Sequence, residues 1–508
     1  MSYAGLLEIT GRVNDLLNAG SVLSWDARTM MPKGGASTRS KQLATLAVAA
    51  RDLLCSDETR RALEGAEAET AGLDEASPEA RICAQVREAV AWHERIPNEL
   101  LRRKTELGSA AHEDWAEARE TADFSRFAPA LTEMVGIARE MAGAIGYEDH
   151  PYDALMYRFE PGTTRESLAG LFGRLREGML PLVRAIAEAE QPEAGFLHRE
   201  FDPDAQMRFA LQMAERIGYD TSRGRLDTTV HPFEVSFTRQ DVRITTRVNR
   251  KWMPMSLFGA LHEAGHAMYE QGVDPDYTRT PLATDLISLY AVGGVSFGAH
   301  ESQSRLWENH VGRSRAFWRN HMDDIRAAYP GTLDDVEPEA FYRAINRSQP
   351  SFIRVEADEL TYDFHIMLRC EIEARLVDGS LEVADLPEAW NAGMREYLGV
   401  EVPDDAHGVL QDVHWSSGQI GTFCNYTIGN VMAAQLFDAA CGGDPGIAAS
   451  LEDADYAPLR GWLTDHVATH GRRFTRDELL ERATGRALDP EPYLKHLTTK
   501  YSDIYALT

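Results

Sequence analysis

The chain has 508 residues, with 52 Lys plus Arg against 80 Asp plus Glu and a formal net charge of −28. Its 44% hydrophobic content excludes long disorder and is enough to bury a large core without disulfide or metal staples. A surface this acidic repels phosphate, which argues against nucleic acid as a partner.

The N-terminal stretch MSYAGLLEITGRVNDLLNAG lacks a basic segment followed by an apolar run, so no secretory signal is expected. No stretch approaches the roughly 18 consecutive apolar residues of a membrane span, so no membrane partner is expected. Cys55, Cys83, Cys370, Cys424 and Cys441 are odd in number and scattered, without a Cys-x-x-Cys pair. That pattern predicts reduced thiols in a cytoplasmic protein and no zinc–thiolate site.

Apolar residues recurring at three and four predict helices at Ser37–Leu54, Phe127–Ile145, Arg165–Ala189, Asp204–Ile217 and Glu356–Leu376. Pro161-Gly162 and Pro330-Gly331 read as turns. Between Thr228 and Val248 the period changes to two. Val235 and Phe237, then Val242, Ile244 and Thr246, alternate with polar residues around a turn at Arg239-Gln240. This predicts a small antiparallel sheet just before the most informative helix. With no Gly- or Pro-rich linker, residues 1–508 read as one large, mainly α-helical domain.

That helix reads MPMSLFGALHEAGHAMYEQG, with Pro254 and Ser256 at its start and Gly272 just past its end as expected caps. His262 and His266 are four apart, so their imidazoles leave one face and can reach one metal ion. Glu263 lies beside that face and suits a general base on a metal-bound water. Leu257, Leu261, Ala264 and Met268 form the core-facing stripe. A third ligand must come from elsewhere, and spacing leaves Asp285, His300, Glu301 and Glu308 open.

Several ordered segments resemble the carboxypeptidase Taq family of metallocarboxypeptidases. They are Trp25-Asp26 in LSWDARTMMP, His231-Pro232-Phe233, Asp241-Val242-Arg243-Ile244-Thr245, the H-E-x-x-H motif and His300-Glu301-Ser302-Gln303. Ile353-Arg354 with Ala357-Asp358, and Gly408, Gln411, Asp412, His414 and Trp415, complete the set. The resemblance implies a saddle-like helical body with a deep active-site groove, similar to neurolysin and angiotensin-converting enzyme. It implies one divalent metal ion, Zn2+ or Co2+, a cytoplasmic homodimer, and release of C-terminal residues from peptides. By motif position the ligands are His262, His266 and Glu301, with Glu263 as base.

A carboxypeptidase must also bind a free carboxylate, and Arg354 and Arg243 are the candidates for a bidentate fork. His231 belongs to the same substrate-binding set. His414 is a candidate oxyanion donor, while Asp241 and Asp412 are expected to orient neighbours. Two departures from the family pattern stand out. The stretch between His266 and Glu301 is longer, through the apolar segment 283–299 that carries Tyr290. Thr422 stands where the family has a tyrosine, and Tyr290 or Tyr426 could supply a phenol instead. Together they raise an alternative, an amidohydrolase of the same fold acting on a small non-peptide amide.

Overall fold

Helices dominate the computed structural model, which describes residues 2–507. The helical period places most elements where expected. Helices run Ala36–Leu54, Ala128–Ile145, Arg165–Glu188 and Pro203–Ile217. Local chemistry sets their starts: the Asp202 carboxylate accepts from Ala205 N at 2.8 Å, with Pro203 in the first turn. Thr164 and Ser167 form a reciprocal capping box.

Two expectations are corrected. The helix expected from Glu356 begins at Tyr362. The Asp358 carboxylate accepts from Leu360 N, Thr361 N and the Thr361 hydroxyl, which holds the preceding residues in a turn. The H-E-x-x-H helix spans Pro254–Gly272, so Gly272 lies inside it and Val273 caps it. Ser256 does not cap it either; its hydroxyl meets Met253 O and Gln206 Oε1, each at 2.9 Å.

The described residues group into two compact units. The first comprises residues 1–93, 192–345 and 429–489. The helix Tyr3–Thr29 sends Leu6, Ile9, Val13 and Leu17 into a core with Leu54, Val86, Leu282 and Leu286. Full burial of such side chains stabilises by about 1.5–3 kcal/mol each. The sheet of this unit has three strands, β1 Leu226–Thr228, β2 Glu234–Thr238 and β3 Asp241–Thr246, in the order β1-β3-β2. The antiparallel β2–β3 hairpin is as expected; β1, too short to show alternation, adds in parallel against β3. Thr246 Oγ1 donates to Ser256 O at 2.8 Å, fastening the end of β3 to the H-E-x-x-H helix.

The second unit comprises residues 94–191, 346–428 and 490–508. Its central helix, Tyr362–Asp378, is buried on nearly every side yet carries Asp363, Arg369 and Glu373. Each of these three is satisfied, as most buried polar groups are. Asp363 accepts from the Thr427 and Tyr493 hydroxyls at 2.6 and 2.8 Å. Glu373 accepts from Tyr152 Oη, Trp415 Nε1 and Gly421 N at 2.7–2.9 Å. Among the described residues, no helix is long and apolar enough to cross a membrane.

Candidate active site

Three segments of the first unit build the site. The Pro254–Gly272 helix presents His262 and His266 with ring centroids 5.0 Å apart. The helix Phe297–Arg305, capped by the Ser296 hydroxyl, crosses it and presents Glu301. The crossing is close because residue 265 is glycine. A Cβ there would lie 2.5 Å from Gln303 O and 2.7 Å from Ser304 Cα. The third segment, residues 429–443 of the helix Cys424–Gly443, closes on Glu301 through Gly429, where a Cβ would lie 2.5 Å from Glu301 Cγ.

The result is a cluster of donors. Ligand atoms of His262, His266 and Glu301 all lie within 4.8 Å of one another. Glu301 Oε2 is 3.7 Å from His262 Nε2 and 3.4 Å from His266 Nε2. Two imidazoles and a carboxylate fit one divalent ion with a position left open. Asp285 is not part of this cluster. Its carboxylate accepts from Ile287 N and Ser288 N and faces Arg472 at 3.4 Å, so it holds its own loop.

The supporting contacts set the tautomers. His262 Nδ1 donates to Glu308 Oε2 at 3.0 Å and His266 Nδ1 donates to the carbonyl of His300 at 3.0 Å. Both partners can only accept, so each Nε2 keeps its lone pair toward the cluster. Glu308 is brought back toward His262 by a π-helical turn, Leu306–Gly312, and is itself held by Arg313 at 3.0 Å. Arg305 Nε donates to Glu301 Oε1 at 2.6 Å, leaving Oε2 for the histidines.

Electrostatics follow this geometry. Burial would raise Glu301, but Arg305 and His262 hold it well below the usual carboxylate range. Burial also opposes charge on Glu308, yet His262 and Arg313 lower it to about 2. Burial, with His300 beside it, pushes His266 down to about 3. Glu263, only 6% exposed, is pushed up to about 7 by burial and the Glu301 and Glu308 carboxylates, against His262.

One organising residue was not read from the sequence. Glu270, one helical turn after His266, is fully buried. Its carboxylate accepts from Gly293 N, Gly294 N, the Ser236 hydroxyl, Arg239 and His300 Nε2, all within 2.9–3.2 Å. It thereby ties the sheet and the 283–299 segment to the ring that stacks on His266 at 4.4 Å. The available signal was a glutamate at i+4 on an apolar helix.

The remaining candidates sit as follows. Arg243 donates bidentately to Asp241 at 2.7 and 2.8 Å and lies between Trp25 and Phe237. His231 is exposed in the β1–β2 connection. Tyr290 is 37% exposed. It stands on a loop closed by the Asp285–Tyr290 bridge and anchored by buried Leu286 and Ala291, a packed wall.

In the second unit, Arg354 donates to Asp412 Oδ1 at 2.8 and 3.0 Å and to Tyr362 Oη at 3.0 Å. Arg369 takes Asp412 Oδ2 at 2.6 Å. His414 packs on Phe423 at 4.6 Å, its Nδ1 without a hydrogen bond, and burial lowers it to about 4, so it is neutral at pH 7. Thr422 is buried and its hydroxyl accepts from Asn425 Nδ2 at 3.2 Å. The Tyr426 ring lies 5.2 Å from the Arg354 guanidinium.

A family model described as carboxypeptidase Taq (M32) metallopeptidase matches residues 5–501. Carboxypeptidase 1 of Bacillus subtilis is 36% identical over 98% of both chains. Thermostable carboxypeptidase 1 of Thermus thermophilus is 38% identical over 99% of both. The crystal structure of an M32 carboxypeptidase from Deinococcus radiodurans aligns with a TM-score of 0.93 at 39% identity, covering 99% of each chain. All three are named carboxypeptidases, and none supports the small-amide alternative. A mainly helical chain matched by the family model over residues 5–501, and by relatives at 36–39% identity over nearly all of their length, belongs to the carboxypeptidase Taq (M32) family of metallocarboxypeptidases.

Proposed function

We propose that this metallocarboxypeptidase works through His262, His266 and Glu301 as metal ligands and Glu263 as general base, on peptides with a free C-terminus. The observation that carries this reading is the convergence of three ligand atoms beside a buried glutamate. Zn2+ or Co2+ suits two nitrogens and one oxygen, and when bound supplies Lewis acidity to the scissile carbonyl and to a water.

The chain's own groups do the rest. Glu263 takes a proton from the attacking water on a carboxylate oxygen and passes it to the leaving amine. Glu308 and the His300 carbonyl hold the imidazoles in the ligating tautomer. His414, neutral, donates a hydrogen bond to the oxyanion, with Tyr426 or Tyr290 as the phenol that Thr422 does not supply.

The same reading treats residues 1–508 as one catalytic domain in a cytoplasmic homodimer, without nucleic-acid or membrane partners. The net charge of −28 supports the absence of a nucleic-acid partner and the five free cysteines support a reducing compartment, while the homodimer rests on the family resemblance alone. Glu263→Gln tests the core of it. Release of C-terminal residues should fall by about 10²–10⁴-fold with metal content unchanged at one ion per chain. Full activity in that variant would sink the assignment of the base.

A further inference from the structure

A cavity of about 320 Å³ lies within the second unit, between the helices Arg165–Glu188 and Tyr362–Asp378. None of its lining residues belongs to the metal site. Arg165, Leu168, Phe172 and Arg176 follow one another by three or four along the first helix, with Gly173 beside them, and line the cavity from one face. Met367, Glu371, Arg375 and Asp378 do the same from the second helix, with Cys370 beside them. The space between the two faces is open at Gly173, where an added Cβ would meet nothing within 4 Å. Buried Leu168, Phe172, Met367 and Cys370 form an apolar floor, and the charged side chains form an exposed rim.

One short turn pins an end of this groove. Arg165 N donates to Asp153 Oδ1 at 2.6 Å. His150 Nδ1 accepts from Tyr152 N at 3.1 Å, so its Nε2 carries the proton and donates to Asp378 Oδ2 at 3.2 Å. The start of the first helix is thereby fastened beside the end of the second, and the two run antiparallel. Arg165 and Arg375 therefore stand at the same end. At the other end the Arg176 guanidinium lies 5.9 Å from the centre of the Tyr397 ring, whose hydroxyl donates to Glu371 Oε2 at 2.5 Å.

The rim arginines have open donors. Arg174, on the same helix but turned away from the groove, pairs with Glu491 at 3.0 Å. Arg165, Arg176 and Arg375 make no side-chain hydrogen bond or ion pair among the described residues. Arg375 has an acidic residue one turn away on either side and pairs with neither. Glu371 is taken by Tyr397, and Asp378 by His150 and by Ser380 N at 2.8 Å. At the pinned end two guanidiniums stand with one engaged carboxylate, a local positive excess on a chain of net charge −28.

We propose that this groove binds a small carboxylate with an apolar tail, its head on Arg165 and Arg375 and its tail over Phe172 and Met367. Guanidinium edges suit a carboxylate, and a concave apolar floor with a few polar groups suits a small ligand. At roughly 30 Å³ for a water-sized group, the volume of about 320 Å³ holds about ten non-hydrogen atoms. A medium-chain fatty acid and a hydrophobic amino acid share this chemistry. The amino acid brings an ammonium as well, for which Glu371 has an oxygen free of hydrogen bonds. The site does not depend on the peptidase assignment.

The test is calorimetry on the full chain with octanoate, leucine, acetate and octanol. Octanoate or leucine should bind at least about tenfold more tightly than acetate, which lacks the tail, and than octanol, which lacks the charge. Tighter binding of octanoate assigns a fatty acid. Tighter binding of leucine assigns an amino acid, and Glu371→Gln should then weaken leucine while leaving octanoate unchanged.

Two variants locate the site. Arg165→Met combined with Arg375→Met should weaken the bound carboxylate by about 10- to 100-fold, the scale of lost charge-assisted hydrogen bonds. Gly173→Leu fills the floor from an open helical position and keeps both guanidiniums, and it should weaken binding at least about tenfold. Urea midpoints no lower than wild type show that each variant is folded, and Gly173→Leu decides the matter if the arginine pair is not. Wild-type affinity in Gly173→Leu would overturn the proposal. So would the absence of any binding tighter than about 1 mM for both octanoate and leucine.

Discussion

Replacing Gly265 by Ala perturbs the metal centre without touching a ligand. The new Cβ would sit 2.5 Å from Gln303 O and 2.7 Å from Ser304 Cα. Van der Waals contact needs about 3.5 Å, so the shortfall is close to 1 Å. Both obstacles are backbone, so no side chain can rotate away. The Pro254–Gly272 and Phe297–Arg305 helices must separate, and these carry His262 and His266 on one side and Glu301 on the other. Overpacking of this kind costs about 1–3 kcal/mol. A ligand set tolerates displacement of about 0.5 Å, so metal affinity should fall by at least about tenfold.

Gly461 provides the control, since it is an exposed helical glycine with nothing within 4 Å of an added Cβ. Gly461→Ala should be neutral or stabilising by about 0.5–1 kcal/mol. The assay is chemical denaturation of each apo protein together with titration of Zn2+ under a competing chelator. Gly265→Ala with wild-type stability and wild-type zinc affinity would refute the argument that backbone contact limits this crossing.

Other outcomes are expected. Glu308→Gln should weaken metal binding by about 10–100-fold, measured with the same chelator, because His262 loses its charged hydrogen-bond partner. Asp412→Ala should destabilise the fold by about 3–5 kcal/mol in urea, since it strands Arg354 and Arg369 without their shared carboxylate. A change in KM at unchanged stability would instead mark Arg354 as a substrate residue.

Glu270 governs an acid limb. Burial opposes its charge, but Arg239, His300 and the Gly293 N–H hold it well below its ordinary 4.5. A depressed carboxylate stabilises fully above its unfolded pKa and loses that contribution as pH falls through the folded one. The stability gap between wild type and Glu270→Gln, followed by urea midpoints, should therefore be largest above pH 5 and shrink as pH drops below about 4.5.

Much of the site was legible because it is local. Spacing of four along one helix dictates that His262 and His266 share a face, and Glu263 follows from the same turn. Most of the elements read from the helical and strand periods lie where expected, and the reading failed where a side chain captured the backbone, as Asp358 does before Tyr362. β1 was invisible because three residues show no period. The third ligand could not be chosen by spacing, since Asp285, His300, Glu301 and Glu308 all fall downstream; motif resemblance pointed to Glu301, and the Gly265 crossing brings it to the histidines.

Which arginines are free is a question of the same kind. Arg243 and Arg354 carry the charge a substrate carboxylate needs, but Asp241 and Asp412 occupy their donors. Arg165 and Arg375 are unremarkable in the sequence, yet both line one groove and neither side chain is paired among the described residues. Residue type and helical spacing determined the chemistry available to this protein. Only the tertiary structure decided which charged groups are engaged, because ion pairing depends on distances between segments far apart in the chain.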